Sequence, residues 1–251
     1  MNPSGTDIVS LRNVGKTFDS GTVALDGLSL AVRDGEFVSL LGPSGCGKST
    51  ALRIIAGLSA PSTGAVEGPA GKIGFVFQEP TLMPWADVAA NVQLPLRLAY
   101  ADDTQSRAAV VQALERVGLA DFANAFPREL SGGMKMRASI ARALVTGPQL
   151  LLMDEPFAAL DEITRFKLNN DLLTLWQALR RTVIFVTHSV FESVYLSQRI
   201  VLMTPRPGRV FTEIAIPAPY PRDDRFRTSP EYAGYCRQVA EALAKAMGGA
   251  P

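Results

Sequence analysis

Residues 42–50 read GPSGCGKST: Gly42, Pro43, Ser44, Gly45, Cys46, Gly47, Lys48, Ser49 and Thr50. This is G-x-x-x-x-G-K-[ST], and each residue type has a chemical reason to stand where it does. Glycines let backbone N–H groups curl around the β-phosphate of a nucleotide, and a following helix adds the positive end of its dipole. Lys48 reaches the β- and γ-phosphates, and the Ser49 hydroxyl can ligate Mg²⁺. The context agrees: the apolar run Glu36–Leu41 precedes the loop and a helix-like stretch, Lys48 to Leu58, follows it. A strand, a glycine-rich loop and a helix in that order predict an α/β fold with a nucleoside triphosphate site.

Around the loop the pattern is of two kinds. Asp7 to Val14 and Ala24 to Val32 alternate apolar and polar residues, which predicts an antiparallel β region at the amino end. Ile73 to Phe77, Gln149 to Met153 and Val183 to Thr187 are short apolar runs suited to a buried parallel sheet. Helical patterns span Val88 to about Leu119, about Gly133 to Leu144, and near Glu231 to Met247. Each of four buried runs ends in polar or glycine-rich residues: the loop 42–47, Gln78, Asp154 with Glu155, and His188. Ligands of open parallel sheets bind outside the carboxyl ends of the strands, so the four ends point to one site. Taken singly, any of them reads equally well as a strand ending in a solvated turn. Asp154 is expected to hold Mg²⁺, usually through water, and Glu155 to polarise the attacking water. Helix capping is the structural alternative for such an acidic pair.

Composition narrows the class further. The chain has 251 residues, 47% of them apolar and 20% charged, with 25 basic against 24 acidic side chains. A formal charge of +1 gives no electrostatic reason to expect nucleic acid as a partner. Two cysteines, Cys46 and Cys236, and one histidine exclude a disulfide framework and a multi-histidine metal centre. No run approaches a membrane span, and the first ten residues lack the features of a secretory signal, so a cytosolic chain is expected. A mean hydropathy of +0.13 hints at an apolar surface reserved for a partner.

The stretch LSGGMKMRASIARAL, Leu130 to Leu144, resembles the signature motif of ATP-binding cassette (ABC) ATPases. The remaining family motifs stand around it in order. Phe18 matches the aromatic that stacks on adenine, GPSGCGKST the Walker A loop, Gln78 the Q-loop and LLLMDEP Walker B. Ala159-Leu-Asp161 matches the D-loop and His188 the switch histidine. The resemblance covers residues 8 to about 240. FQEPTLMPW (77–85), VYLSQRIVLMTPRPGRV (194–210) and FRTSPEY (226–232) look like the nitrate, sulfonate and taurine importer group. Met136, Ala159 and Phe18 depart from commoner Gln, Ser and Tyr, and Ala159 puts crosstalk between sites in doubt.

The resemblance implies a P-loop NTPase (RecA-like) core with an N-terminal antiparallel β region and an inserted α-helical subdomain. Its expected segments are 1–86 and 148–215 for the ATP-binding core, 87–147 for the helical subdomain and 216–251 for a C-terminal tail. It implies ATP and Mg²⁺ as ligands, with Ser49, Gln78 and Asp154 at the metal and Glu155, His188 and Gln78 in catalysis. Ser131, Gly132 and Gly133, just before a helix, would face the γ-phosphate held by a second copy in a head-to-tail dimer. The expected partners are an integral-membrane permease and, indirectly, an extracytoplasmic solute-binding protein, with no nucleic acid. The expected location is the cytoplasmic face of the inner membrane, peripherally bound. The expected function is the ATP-hydrolysing subunit of an importer. The alternatives are a soluble ABC ATPase acting on nucleic acid and a non-hydrolysing regulatory nucleotide-binding module. Two local expectations follow. Cys46, inside the loop beside Lys48, should have a lowered thiol pKa and an alkylation that MgATP prevents. Trp85, in the Pro-flanked segment 79–85, should be an exposed permease anchor rather than core.

Overall fold

Period-two burial explains the first two strands. In the computed structural model, which describes residues 6–69, 71–99 and 103–248, β1 (Asp7–Thr17) buries Val9, Leu11 and Val14. Likewise β2 (Val23–Arg33) buries Leu28, Leu30 and Val32, and the two pair antiparallel with Leu11 opposite Leu30. The chain continues through β3 (Phe37–Leu41), α1 (Lys48–Ile55), β4 (Thr63–Glu67), β5 (Ile73–Val76), α2 (Val88–Leu98), α3 (Asp103–Arg116) and α4 (Gly132–Leu144). Then come β6 (Leu150–Asp154), α5 (Glu162–Leu179), β7 (Thr182–Thr187), α6 (Val190–Leu196), β8 (Arg199–Met203) and β9 (Val210–Ala215). A short α7 (Asp224–Arg227) and a long α8 (Pro230–Ala246) close it.

These elements form two units, one of residues 6–69 with 181–248 and one of residues 71–180. In the first unit β2, β1 and β4 make an antiparallel sheet. A second run of strands in the order β7, β3, β8, β9 is parallel except for its last member. All five residues of β3 and all six of β7 are buried, as apolar runs covered on both faces should be. In the second unit β5 and β6 pair in parallel, and α2 packs on α3 and α4. Gly74 lets α4 approach β5, because a Cβ there would stand 2.6 Å from the Ala143 carbonyl oxygen.

Several elements differ from the sequence expectation. Helix α1 stops at Ile55 rather than Leu58, because Gly57 takes φ +72° and closes a left-handed cap. The Leu58 N–H reaches back to the Arg53 carbonyl at 2.8 Å and that of Gly57 to Ile54 at 3.0 Å. The helical pattern from Val88 to Leu119 is two helices, ending at Leu98 and Arg116. Strands β4, β8 and β9 and helices α5 and α6 were not expected at all. Helix α5 hides because its buried stripe, Leu168, Leu172 and Trp176, occupies only its later turns while Ile163 is exposed.

Candidate active site

In the first unit the site begins where β3 ends. Gly47, at φ 104°, occupies the N-cap of α1 without a side-chain cap, so the first N–H groups of the helix stay directed at the loop. No side chain fits there: a Cβ would stand 2.7 Å from both the Ala24 carbonyl oxygen and Leu25 Cδ2. The Lys48 ammonium is buried and donates to the carbonyl oxygens of Gly42 (2.8 Å) and Pro43 (2.9 Å). Its charge therefore lies along the inner edge of the loop. Ser44 and Gly45 are exposed, while Ser49 and Thr50 are half-buried on the first turn of α1. Cys46 corrects an expectation. Its Sγ lies 4.0 Å from the Lys48 ammonium as anticipated, but the residue is only 1% exposed. A low pKa cannot make a thiol reactive when reagent cannot reach it.

His188 is brought beside this loop by strand register. Strands β3 and β7 pair in parallel with Leu41 opposite Thr187, so Gly42 and His188 leave adjacent strand ends. The His188 side chain is exposed, and the backbone after it is fixed. The Thr187 hydroxyl accepts the Ser189 N–H at 3.0 Å and donates to the buried Glu192 carboxylate at 2.5 Å. Phe18 lies in the tight turn between β1 and β2 and is 44% exposed, so it is not a core residue. The Lys16 ammonium stands 5.5 Å from its ring centroid. Through Ala24 and Leu25, the hairpin carrying Phe18 packs against the exit of the loop.

The second unit carries the other residues expected from the sequence. Strands β5 and β6 pair with Val76 opposite Met153, which brings Gln78 and the Asp154–Glu155 pair to neighbouring strand ends. Asp154 is 8% exposed, whereas Gln78 is exposed. Glu155 takes φ 45°, a left-handed conformation unusual outside glycine, and this turns the chain sharply at the strand end. Ser131 caps α4, its hydroxyl accepting the Met134 N–H at 3.3 Å. Gly133 permits close approach, since a Cβ there would meet Thr164 Cγ2 at 2.8 Å, while one on Gly132 would stand 3.3 Å from Leu160 Cδ2. Met136 is buried, so an apolar residue suits that position of the signature helix. Asp161 caps α5 by accepting the Thr164 N–H at 2.9 Å, and those local hydrogen bonds hold its carboxyl below the usual carboxylate range.

Two arginines that sequence reading missed brace these loops. Arg165 donates to the carbonyl oxygens of Phe157 (3.3 Å) and Leu160 (2.7 Å) and so fixes the segment before Asp161. Arg142 donates to those of Pro80 (2.8 Å) and Thr81 (2.9 Å) after Gln78. The spacing of Arg165, four residues after a helix cap, was the available signal. Among the described residues no group of three or more His, Cys, Asp and Glu could hold a metal. Taken each in its own unit, the Ser49 hydroxyl in the first and the Gln78 amide and buried Asp154 carboxylate in the second are oxygen donors of the kind that suit Mg²⁺. That ion takes few protein oxygens and completes its shell with water and phosphate.

A family model described as "ABC transporter" matches residues 25–158. The chain is 47% identical over 218 residues to the aliphatic sulfonates import ATP-binding protein SsuB 1 of Pseudomonas syringae pv. syringae (strain B728a), covering 87% of this chain and 90% of that one. Among solved structures, a dimeric post-hydrolysis ATP-binding cassette bound to ADP and Pi superposes with a TM-score of 0.73 at 36% identity. That match covers 84% of this chain and all but 1% of the other, a coverage of 99%. CbiO1 of Clostridium perfringens, part of the transporter complex CbiONQ, superposes at 0.76 with 28% identity, covering 84% and 89%. The phosphate loop, the strand-end acids, the capped signature glycines and these relatives agree: the chain belongs to the ABC transporter family, as an ATP-binding cassette with ATPase activity.

Proposed function

We propose that the chain is the ATP-hydrolysing subunit of an importer, coupled to a separate integral-membrane permease and serving aliphatic sulfonates or related anions. The observation that carries the reading is the strand register. A phosphate loop beside His188 in one unit, and Gln78 beside Asp154 and Glu155 in the other, are the parts phosphoryl transfer needs. In this reading Lys48 and the loop N–H groups hold the β- and γ-phosphates, and Phe18 stacks on adenine. Ser49, Gln78 and Asp154 would hold Mg²⁺, which would supply charge neutralisation at the phosphate oxygens. Glu155 accepts the proton of the attacking water, and His188 donates a hydrogen bond to the γ-phosphate. Ser131, Gly132 and Gly133 complete the site of a second copy, so that ATP closes a head-to-tail dimer and hydrolysis reopens it.

No helix among the described residues is long and apolar enough to cross a membrane, which suits a subunit bound peripherally at the cytoplasmic face. Residues 87–147 serve as the helical subdomain, 1–86 and 148–215 as the ATP-binding core, and 216–251 as a tail. An extracytoplasmic binding protein would deliver the solute. The sulfonate class is supported by the 47% identical relative named for it. Turnover of the purified chain tests the chemistry. Glu155→Gln should bind ATP, accumulate as an ATP-bound dimer and turn over about 10²-fold more slowly or worse. Lys48→Ala should lose ATP binding. Near-normal turnover of Glu155→Gln would remove Glu155 as the base. Deleting the gene should abolish growth on an aliphatic sulfonate as sole sulfur source, and unimpaired growth would remove that substrate class.

A further inference from the structure

The segment Thr204–Arg209, TPRPGR, joins β8 to β9 and has no role in the chemistry described above. It is a closed turn. The Thr204 N–H reaches the Arg209 carbonyl at 3.0 Å, and the Thr204 hydroxyl accepts the Arg209 N–H at 3.0 Å while donating to the Pro207 carbonyl at 3.1 Å. The turn is also anchored to β2. Gly208 donates to the Ala24 carbonyl at 2.9 Å, its own carbonyl accepts the Asp26 N–H at 3.2 Å, and Arg209 pairs with the Asp26 carboxylate.

From that anchor the turn reaches the phosphate loop. A Cβ on Gly208 would stand 2.0 Å from the Cys46 carbonyl oxygen, so only glycine fits there. Arg206 Nε donates to the Gly45 carbonyl oxygen at 3.1 Å. Gly45 sits at φ +75° and has no side chain to resist a peptide flip. A flip of the Gly45–Cys46 peptide would aim a carbonyl oxygen, rather than an N–H, at an anion. In a trans peptide the C=O and N–H point opposite ways. Holding Gly45 O outward on Arg206 therefore turns the Cys46 N–H inward, where it now meets the Pro43 carbonyl at 3.3 Å.

We propose that Arg206 is a positioning residue for nucleotide binding: it fixes the Gly45–Cys46 peptide so that the loop presents donors to the β-phosphate. The proposal rests on residues 42–50 being the phosphate loop. Because it acts on the β-phosphate cradle and not on the chemistry, Arg206 should govern affinity for ATP and ADP alike and leave kcat at saturation alone.

The test uses the full chain and four variants: Arg206→Ala, Arg206→Gln, Gly208→Ala and Lys48→Ala. Kd for MgATP and for MgADP, KM, kcat and Tm are measured for each. Arg206→Ala is expected to weaken both nucleotides about tenfold, the scale of one charge-assisted hydrogen bond, with kcat within about twofold. Its Tm should stay within a few degrees, as for an exposed substitution. Arg206→Gln, which keeps an N–H donor without the charge, should recover part of the loss, and Gly208→Ala should weaken both nucleotides because it displaces Cys46. Unchanged affinity in Arg206→Ala, or a loss fully explained by unfolding, overturns the proposal. So does a loss in Arg206→Gln equal to that in Arg206→Ala, since charge and not peptide orientation would then be responsible. If Lys48→Ala binds ATP normally, the reading of the loop itself fails and the proposal falls with it. Weak binding by Lys48→Ala beside normal binding by Arg206→Ala sinks the role of Arg206 alone.

Discussion

Tyr195 and Arg222 hold each other through their backbones: the Tyr195 hydroxyl donates to the Arg222 carbonyl oxygen at 2.8 Å, and the Arg222 guanidinium donates back to that of Tyr195 at 3.0 Å. The same buried guanidinium reaches the carbonyl oxygens of Val194, Ser197, Ile216 and Ala218 at 2.8–3.2 Å. One side chain thus fastens the segment after β9 to α6, the helix that follows His188. Replacing it strands five acceptors that water cannot easily reach, each costing roughly 1–3 kcal/mol. Arg222→Met should therefore lower unfolding stability by at least about 3 kcal/mol in urea titration, and Arg222→Lys should lie between it and the parent. A loss under about 1 kcal/mol would show that the network does not hold the tail.

Tyr220 in the same region predicts an alkaline limit. Burial raises its phenol from 10.0 to about 12, the nearby Arg222 charge opposing this, and its hydroxyl donates to the Leu196 carbonyl at 2.9 Å. The folded state thus retains a proton that the unfolded state releases above pH 10. The stability tied to it is complete below pH 10 and is lost as pH climbs toward 12, about 2–3 kcal/mol in all. Tyr195 and Tyr232 are also raised by burial and act in the same direction. Urea midpoints from pH 8 to 12 should fall above pH 10, less steeply in Tyr220→Phe. A flat profile to pH 12 would contradict the shift.

Both thiols should be silent in the native chain. Cys46 is buried under the Lys48 ammonium and the 204–209 turn, and burial pushes the Cys236 thiol up. Iodoacetamide should label neither at the rate of a free cysteine, and both should react once the chain is unfolded. Rapid native labelling of Cys46 would mean that the loop opens widely on its own.

How far the sequence could be read depended on where the information lies. The phosphate loop was legible because its chemistry demands fixed residue types, and β3, β6 and β7 because they are buried on both faces. Helix α1 was legible except for its end, which hangs on the conformation of Gly57. Strand β9 was not: Ile214 alone of its six residues is buried, so no apolar alternation marks it, although it pairs with the strand just before it, Arg199 opposite Ala215. The braces by Arg142 and Arg206 were hidden for a different reason, the distance in sequence between their partners. Nothing near Arg206 announces Gly45, which is 161 residues away.

The segment after Gln78 is where the proposed permease should dock. Trp85 is 77% exposed, so the alternative of a core tryptophan does not hold. Its loop is nevertheless rigid. Asn91, wholly buried, accepts the Met83 N–H at 2.7 Å and donates to the carbonyl oxygens of Met83, Ala86 and Asp87 at 2.9–3.2 Å. Arg142 holds Pro80 and Thr81 at the other end. A large aromatic presented on a fixed loop loses little entropy on binding, which is what a hot-spot residue needs. Trp85→Ala should therefore leave Tm and basal ATP binding near those of the parent while weakening co-purification with the permease, at about 2 kcal/mol or more of affinity. Asn91→Ala should also weaken docking, and additionally lower Tm, because it frees the loop and leaves buried polar groups unpaired. If Trp85→Ala binds the permease as the parent does, the exposed indole serves another purpose and the docking surface lies elsewhere.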